Sequence, residues 1–285
     1  MTHPNLAGAL PPASEILADI DRAFGEDVGP GDATADLLDP NANATAVLTC
    51  REDAVLCGTA WFDAAFRKLD PAVQIEWLAA DGDRMAAGSA ICRIAGKARA
   101  LVTAERTALN FLQLLSATAT VTSRYADAIA GTKTRVLDTR KTIPGLRRAQ
   151  KYAVLCGGGT NHRIGLFDAM MLKENHIIAA GGIPAAVSAA RRIHPSLPLI
   201  VEVETLDELA QALEAGADRA LLDNFTPEML KAAVAFTAGR MPLEVSGNVE
   251  IDTIRAIADT GVDFISSGAL TKNIRAIDLS LRLNL

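Results

Sequence analysis

The sequence contains few aromatic residues, cysteines and histidines. Only 4% of its 285 residues are aromatic, and its four cysteines, Cys50, Cys57, Cys92 and Cys156, form no CxxC pair. Only four histidines accompany them, so the ligands of a structural zinc cluster are missing. We therefore expect the cysteines to be buried thiols in a reducing, cytoplasmic compartment.

Long apolar runs and an excess of positive charge are missing as well. No run approaches the roughly 18 apolar residues that span a bilayer, and no lysine or arginine precedes Arg22, so the basic start of a signal peptide is lacking. A net charge of −6 argues against general binding to nucleic acid or to an anionic membrane. The 49% of apolar residues is enough for a large core, and with few aromatics that core favours layered α/β packing.

Two styles of sequence follow one another along the chain. The first part predicts a sheet with helices on one face: a helix over 13–24, short alternating runs typical of antiparallel strands, and a helix over 60–68. A further helix is predicted to begin at Thr103 as N-cap, with Glu105 in its first turn, and to continue to about Ile129. After Gly131 the rhythm becomes strand, loop, helix, six times over, which predicts parallel βαβ units.

The ends of these six strands favour an incomplete (β/α) barrel over a doubly wound sheet. A doubly wound sheet concentrates its functional groups at one or two loops, and no GxGxxG follows a first strand. In a barrel they come from the C-terminal ends of many strands. Here polar residues occupy all six strand ends: Asp138, Lys173, Glu202 with Glu204, Asp223, Ser246, and Ser266 with Ser267.

The segment 133–173 is strongly basic. It holds nine cationic and two anionic residues in a chain that is acidic as a whole. Arg147, Arg148 and Lys151 are expected to form a solvated helix face. The cations in loops or at strand ends are different, because an isolated charge there is costly unless an anion pairs with it. We expect an anion-binding pocket formed by Arg140, Lys141, Arg163 and Lys173, with His162 and a glycine run, 157–159, beside it.

Carboxylates form the counterpart of these cations. The alternation in VEVE predicts that Glu202 and Glu204 face the barrel lumen, and Asp223 closes the next strand. Such a set suits Mg²⁺ held partly through substrate phosphates. Alternatively, the carboxylates form internal salt bridges with Lys141 or Lys173.

Several motifs of the chain resemble those of a known protein family. DTRKTIPGLRRAQKYAV, CGGGTNHRIGLFDAMMLKENHI, VEVE, LLDN and SSGAL, in this order, resemble the quinolinate phosphoribosyltransferase family of type II phosphoribosyltransferases. The resemblance implies an N-terminal α/β sandwich domain, 1–115, joined by the C-terminal segment 275–285. It implies a seven-stranded, incomplete TIM-like α/β barrel over 116–274. The implied reaction joins quinolinate to phosphoribosyl pyrophosphate with Mg²⁺ and gives nicotinate mononucleotide, pyrophosphate and CO₂.

The resemblance also implies roles for individual residues. Catalysis is expected from Lys141, Lys173, Glu202 and Asp223, of which Glu202 and Asp223 would also hold the metal. The residues implied for quinolinate are Arg106, Arg140, Lys141, His162, Arg163 and Lys173. Those implied for phosphoribosyl pyrophosphate are Lys141, Lys173, Glu202, Asp223, Ser246, Gly247, Asn248, Ser267, Gly268 and Lys272. Some relatives have histidine in place of Lys272. A homodimer is implied in which Arg106 completes the site of the neighbouring subunit.

Two other functions remain open at this stage. A phosphoribosyltransferase-like protein associated with molybdate transport shares this architecture but has a different acceptor pocket. A non-catalytic barrel that senses a phosphate ligand is the other alternative. The arginines with His162 favour a dicarboxylate acceptor, and the acidic pair Glu202 and Asp223 disfavours a simple phosphate sensor.

Overall fold

A computed structural model describes residues 6–247 and 249–284, and the chain forms two compact units. The first contains Met1–Ser123, Ile143–Gly158 and Asn273–Leu285, and the second contains Arg124–Thr142 and Gly159–Lys272. The boundary expected at residues 115 and 116 therefore lies inside the first unit. The segment 143–158, which the sequence assigns to the barrel, clusters with the first unit.

Helices and antiparallel strands make up the first unit. Its helices are α1 (Ala13–Asp27), α2 (Thr59–Leu69), most of α3 (Ala98–Ala128) and α4 (Arg147–Cys156). Its strands are β1 (Asn43–Cys50), β2 (Ala54–Val55), β3 (Gln74–Trp77), β4 (Arg84–Met85), β5 (Ala90–Lys97) and β12 (Leu279–Asn284). Four of them form an antiparallel sheet in the order β12–β1–β5–β3, and β2 pairs with β4. The pairing of β12 with β1 places the end of the described chain in the sheet of this unit.

Alternation and helical periodicity explain how this unit packs. Every second residue of β1 is buried, from Ala44 to Cys50, so one face of the strand points into the core. Helix α2 buries Trp61, Phe62 and Phe66 completely. The ring of Phe62 lies 4.9 Å from that of Phe66, between centroids. Trp61, Phe62 and Phe66 thus form part of the hydrophobic core of this unit.

Helix α3 begins earlier than the sequence suggests. Its first residue is Ala98, directly after β5, whereas the prediction placed the N-cap at Thr103. That prediction is wrong because Thr103 lies inside the helix. Its hydroxyl donates to Asp32 Oδ2 at 2.9 Å and does not cap the helix. Arg106 consequently lies in the third turn of α3, beyond the first-turn region in which a helix dipole acts.

The basic helix face is also predicted only in part. Arg148 on α4 is exposed, but Lys151 is only 3% exposed, so its assignment to a solvated face is wrong. Seven of the ten residues of α4 are buried, because the helix is covered on most of its sides.

The second unit confirms the repeated strand–helix rhythm. Its strands are β6 (Arg135–Leu137), β7 (Met170–Leu172), β8 (Leu199–Val203), β9 (Arg219–Asp223), β10 (Leu243–Ser246) and β11 (Phe264–Ser266). Its helices are α5 (Glu174–Ala180), α6 (Ile183–Ile193), α7 (Leu206–Glu214), α8 (Pro227–Thr237), α9 (Ile254–Ala258) and α10 (Ala269–Lys272). All six strands pair in parallel, in the order β6–β11–β10–β9–β8–β7.

A seventh strand is reduced to one residue. Thr160 makes a parallel bridge with Leu137 on the free edge of β6. Its amide donates to the Val136 carbonyl at 2.8 Å, and its carbonyl accepts from the Asp138 amide at 3.2 Å. The glycines at 157–159 lack side chains that would pack and extend this strand.

Within the described residues, no helix combines the length and the apolarity needed to cross a bilayer. The four cysteines are buried free thiols, as the sequence predicts.

Candidate active site

Several charged residues of the second unit lie at the C-terminal ends of β6–β11, here called the barrel mouth. The strand register pairs Glu202 with Leu221 and Leu221 with Glu244, and it pairs Asp223 with Ser246. Paired residues of parallel strands point to the same face, and so do residues two apart along one strand. Glu202, Asp223, Glu244 and Ser246 therefore share one face of the sheet.

Lys173 and Glu202 form an ion pair at this mouth. Lys173 follows β7 directly, and its Nζ lies 3.4 Å from Glu202 Oε2. The Lys173 side chain is 53% exposed and that of Glu202 is 20% exposed. Half-exposed pairs of this kind contribute little stability, so an incoming anion or cation can separate them at small cost. The backbone amide of Lys173 donates to His176 Nδ1 at 3.1 Å, which gives His176 a structural role.

Asp223 and Gly247 lie together where β9 and β10 end. A Cβ atom on Gly247 would come within 3.3 Å of Asp223 Oδ1, and Gly247 has a φ of +100°. The positive φ favours glycine at this position, and a Cβ atom there would press on the Asp223 carboxylate. The Asn224 amide donates to Asp223 Oδ2 at 3.1 Å. Asn248, expected in the phosphate loop, lies outside the described residues.

The loops after β6 and β11 meet at Lys141. A Cβ atom on Gly268 would lie only 2.8 Å from Lys141 Cδ. The Thr271 hydroxyl donates to the Lys141 carbonyl at 2.8 Å. Because Gly268 has no side chain, the aliphatic stem of Lys141 can lie against its backbone. The loops after β6 and β11 are therefore close together.

The positive charge of Arg140, in the loop after β6, acts on Arg163, the arginine of the NHR motif. Burial and the neighbouring positive charge of Arg140 lower the pKa of the Arg163 guanidinium. Arg163 Nη1 donates to the Ala169 carbonyl at 3.1 Å, which fixes the side chain. A dicarboxylate placed at such a pair would relieve the repulsion between the two like charges.

Asp138 orders the loop that carries His162 and Arg163. This buried carboxylate, at the end of β6, accepts from the Asn161 amide at 2.7 Å through Oδ2. It accepts from the His162 backbone amide at 2.8 Å through Oδ1. Asn161 was not among the predicted site residues, although it stands in the NHR motif.

A buried charged cluster next to His162 was also not predicted from the sequence. Glu244 Oε2 accepts from Arg219 Nη1 at 3.0 Å and lies 3.3 Å from His162 Nε2. The Arg219 guanidinium stacks on the Phe264 ring, 4.3 Å from its centroid. Burial opposes the ionisation of Glu244, but its contacts with His162, Ser266 and Arg219 hold its pKa below the usual value. The signal that could have found Glu244 is its two-residue spacing from Ser246 in LEVS.

Three further predicted residues have the following local surroundings. Lys272 ends α10 and is exposed. Ser267 is buried, and its hydroxyl donates to the Val249 carbonyl at 3.3 Å. Arg106 belongs to the first unit, where it is exposed on α3 and lines a small pocket with Asp27 and Asp32.

The donor set at the mouth suits Mg²⁺. Glu202 and Asp223 offer carboxylate oxygens from the same end and face of adjacent strands. Mg²⁺ is commonly bound by one or two carboxylates together with water and substrate phosphates. Among the described residues, the one group of three metal-ligating side chains within 4.8 Å of one another is Cys57, Asp81 and Cys156 in the first unit. A metal at the mouth would therefore depend on the substrate for its remaining ligands.

Comparison with known proteins finds one family over nearly the whole chain. A model described as the C-terminal domain of quinolinate phosphoribosyl transferase matches residues 118–282, and one described as its N-terminal domain matches residues 32–116. The chain is 42% identical over 294 residues to a protein from Oryza sativa subsp. japonica named nicotinate-nucleotide pyrophosphorylase (carboxylating), chloroplastic. That match covers 96% of this chain and 79% of the relative.

A bacterial relative and a solved structure agree with these matches. A probable nicotinate-nucleotide pyrophosphorylase (carboxylating) from Synechocystis sp. is 40% identical, with 99% of this chain and 97% of the relative covered. The structure of the nicotinate-nucleotide pyrophosphorylase from Francisella tularensis has a TM-score of 0.94 at 49% identity. It covers 96% of this chain and 98% of that chain.

Proposed function

The chain belongs to the quinolinate phosphoribosyltransferase family, and we propose that its barrel mouth is where the transfer takes place. The reaction is that of a decarboxylating enzyme of de novo NAD biosynthesis: quinolinate and phosphoribosyl pyrophosphate give nicotinate mononucleotide, pyrophosphate and CO₂. The observation that carries the placement is the shared face of Glu202 and Asp223 at the ends of adjacent strands, with Lys173 Nζ 3.4 Å from Glu202 Oε2.

The cationic side of the mouth would bind quinolinate. Arg140 and Arg163 present planar forks that match two carboxylates bidentately, and Lys141 and Lys173 add point charges. Arg163 is already fixed by the Ala169 carbonyl, so little side-chain entropy is lost when it binds a carboxylate. Arg106 of a second subunit would complete this set. His162 would contribute to quinolinate binding through its contact with Arg163.

The acidic side of the mouth would serve the phosphoribosyl group. Departure of pyrophosphate leaves positive charge on the ribosyl C1, which the Glu202 and Asp223 carboxylates would stabilise. The pyridine nitrogen then bonds to C1. The resulting pyridinium accepts the electron pair of the C2–carboxylate bond, so CO₂ leaves and a proton takes its place at C2. Positioning and electrostatics carry the reaction without a covalent enzyme intermediate.

The phosphates would lie against the loops after β6, β10 and β11. Gly247, held against Asp223, and Gly268, held against Lys141, allow close approach of the backbone. Ser246, Asn248, Ser267 and Lys272 complete the proposed phosphate set. Mg²⁺ would be held by Glu202 and Asp223, and when bound it neutralises phosphate charge and helps pyrophosphate to leave. We further propose a cytoplasmic location, supported by the four free thiols.

A substrate assay tests this proposal. The purified protein is incubated with quinolinate, phosphoribosyl pyrophosphate and Mg²⁺, and nicotinate mononucleotide and released CO₂ are measured. We expect both products in equal amounts, and turnover that falls to background when EDTA removes the metal.

Nicotinate replaces quinolinate in the matched control. It lacks the 2-carboxylate, so a guanidinium would stay unmatched, and we expect it to be rejected by about 10⁴-fold or more. Comparable turnover of nicotinate would refute the dicarboxylate pocket.

A further inference from the structure

The ring of His162 accepts a hydrogen bond at Nδ1 and faces a carboxylate at Nε2. The backbone amide of Arg163 donates to His162 Nδ1, with 2.6 Å between the two nitrogens. On the other side of the ring, Nε2 faces the Glu244 carboxylate at 3.3 Å. An imidazole nitrogen that accepts a hydrogen bond carries no proton. The neutral ring therefore has its proton on Nε2, directed at Glu244.

Glu244 is built into the fold as a fixed anion. Its side chain is fully buried, and Arg219 holds the same oxygen that faces His162. Arg219 is itself held by stacking on Phe264. A buried carboxylate next to a histidine fixes the tautomer and the orientation of the ring, as in metal sites where a carboxylate supports a ligating histidine.

We propose that Glu244 is a positioning residue for the quinolinate pocket, acting through the His162 ring on Arg163. The carboxylate keeps the proton on Nε2, which leaves Nδ1 free to accept the Arg163 amide. That bond fixes the backbone at Arg163, whose guanidinium is anchored separately at the Ala169 carbonyl.

This inference rests on the proposed function only where it assigns Arg163 to quinolinate. The tautomer is independent of any substrate, and it is measured by nitrogen NMR on protein labelled with ¹⁵N-histidine. The His162 signals are assigned by their loss in a His162→Gln variant, because His176 Nδ1 also accepts a backbone amide and should look similar. We expect His162 to carry its proton on Nε2 in the wild type.

Three variants connect the tautomer to binding. In Glu244→Met, the acceptor for Nε2 is lost, and we expect a mixture of tautomers and a rise of about tenfold in the KM for quinolinate, as for one misplaced charge-assisted contact. The KM for phosphoribosyl pyrophosphate should stay within about twofold, because the phosphate loops are untouched. Glu244→Gln keeps an acceptor oxygen and should recover most of the lost affinity. Arg219→Lys is the matched control, since it alters the same cluster but leaves the carboxylate facing His162.

The outcomes separate the possible explanations. A proton on Nδ1 of His162 in the wild type would overturn the proposal, as would an unchanged KM for quinolinate in Glu244→Met. An equal rise in both KM values, or the same rise in Arg219→Lys, would mean general structural damage and would also overturn it. If Glu244→Met does not fold, the wild-type spectrum and Glu244→Gln decide. If the expected tautomer is found in a protein that does not turn over quinolinate, the positioning contact stands and the proposed function fails.

Discussion

Gly268 leaves space for the Lys141 side chain because it has no side chain of its own. Alanine there would bring Cβ to 2.8 Å from Lys141 Cδ, so the lysine must move, although its flexible stem lets the fold survive. We expect Gly268→Ala to lower kcat/KM about ten- to a hundredfold, because one charge-assisted contact to substrate is displaced.

Thermal unfolding separates this effect from a loss of stability. The melting temperature of Gly268→Ala should stay near that of the wild type. Gly25→Ala, in open space on α1, is the control that should keep full activity. Full activity of Gly268→Ala would show that the position of Lys141 does not matter.

Glu244 also predicts how stability depends on pH. Its pKa in the folded protein lies below the ordinary glutamate value of 4.5, despite burial, because of its contacts with His162, Ser266 and Arg219. Its ionised form therefore stabilises the fold above pH 4.5, and that contribution is lost as the pH falls from 4.5 towards the folded pKa.

Glu244→Gln removes the ionisable group. We expect the variant to melt below the wild type at pH 7 and the difference to narrow as the pH is lowered below 4.5. Melting temperatures measured by circular dichroism across this range provide the test. A gap that stays constant with pH would show that the carboxylate charge contributes nothing.

The sequence predicted the site residues at the strand ends better than the residues that lie within the strands. Lys173 and Asp223 stand at strand ends, where charge contrasts with the buried strand before it, so their positions were predictable. Glu244 and Arg219 lie inside strands, and their pairing depends on which strands become neighbours. The burial of Lys151 depends likewise on packing that no local pattern records.

At the scale of elements, the rhythm of strands and helices was predictable and the element ends were not. The six parallel strands follow from short apolar runs that alternate with amphipathic helices. The start of α3 did not follow, because β5 runs into the helix without a loop and Thr103 is used by Asp32. A plausible cap residue in the sequence is therefore no proof of a helix end.

The end of α4 is set by its contact with α3. A Cβ atom on Gly157 would lie 2.3 Å from the Ala119 carbonyl oxygen and 2.6 Å from Thr122 Cβ. Because backbone cannot move aside as a side chain can, we expect Gly157→Ala to lower the free energy of unfolding by about 3 kcal/mol, the upper end for overpacking.

Gly158→Ala is the neighbouring control. Gly158 is exposed with a φ of +83°, so only local backbone strain of about 1 kcal/mol is expected there. Urea denaturation of both variants measures the difference. Equal losses would mean that the approach of α4 to α3 is not tight.

At the scale of the whole molecule, the proposed homodimer predicts subunit complementation. If Arg106 completes the site of its neighbour, Arg106→Ala and Lys173→Ala homodimers should each be nearly inactive. A mixed dimer has one site with both lesions and one with neither. With random pairing, about half of the dimers are mixed, so reassembly should restore up to about a quarter of wild-type activity.

Subunit exchange must be demonstrated independently, for instance with two affinity tags. An exchanged mixture as inactive as its parents would exclude a shared site. Substantial activity of Arg106→Ala alone would exclude a role for Arg106.

The pairing of β12 with β1 bears on the order in which the protein can form during synthesis. The hydrogen bond from Arg51 to Ser280 joins residues 229 positions apart. On a ribosome, β5 emerges soon after β1, whereas β12, the other neighbour of β1, emerges only after every strand of the parallel sheet. N-terminal parts of a chain usually fold first. Here the sheet that begins the chain can gain its edge strand β12 only after the whole parallel sheet has been synthesised.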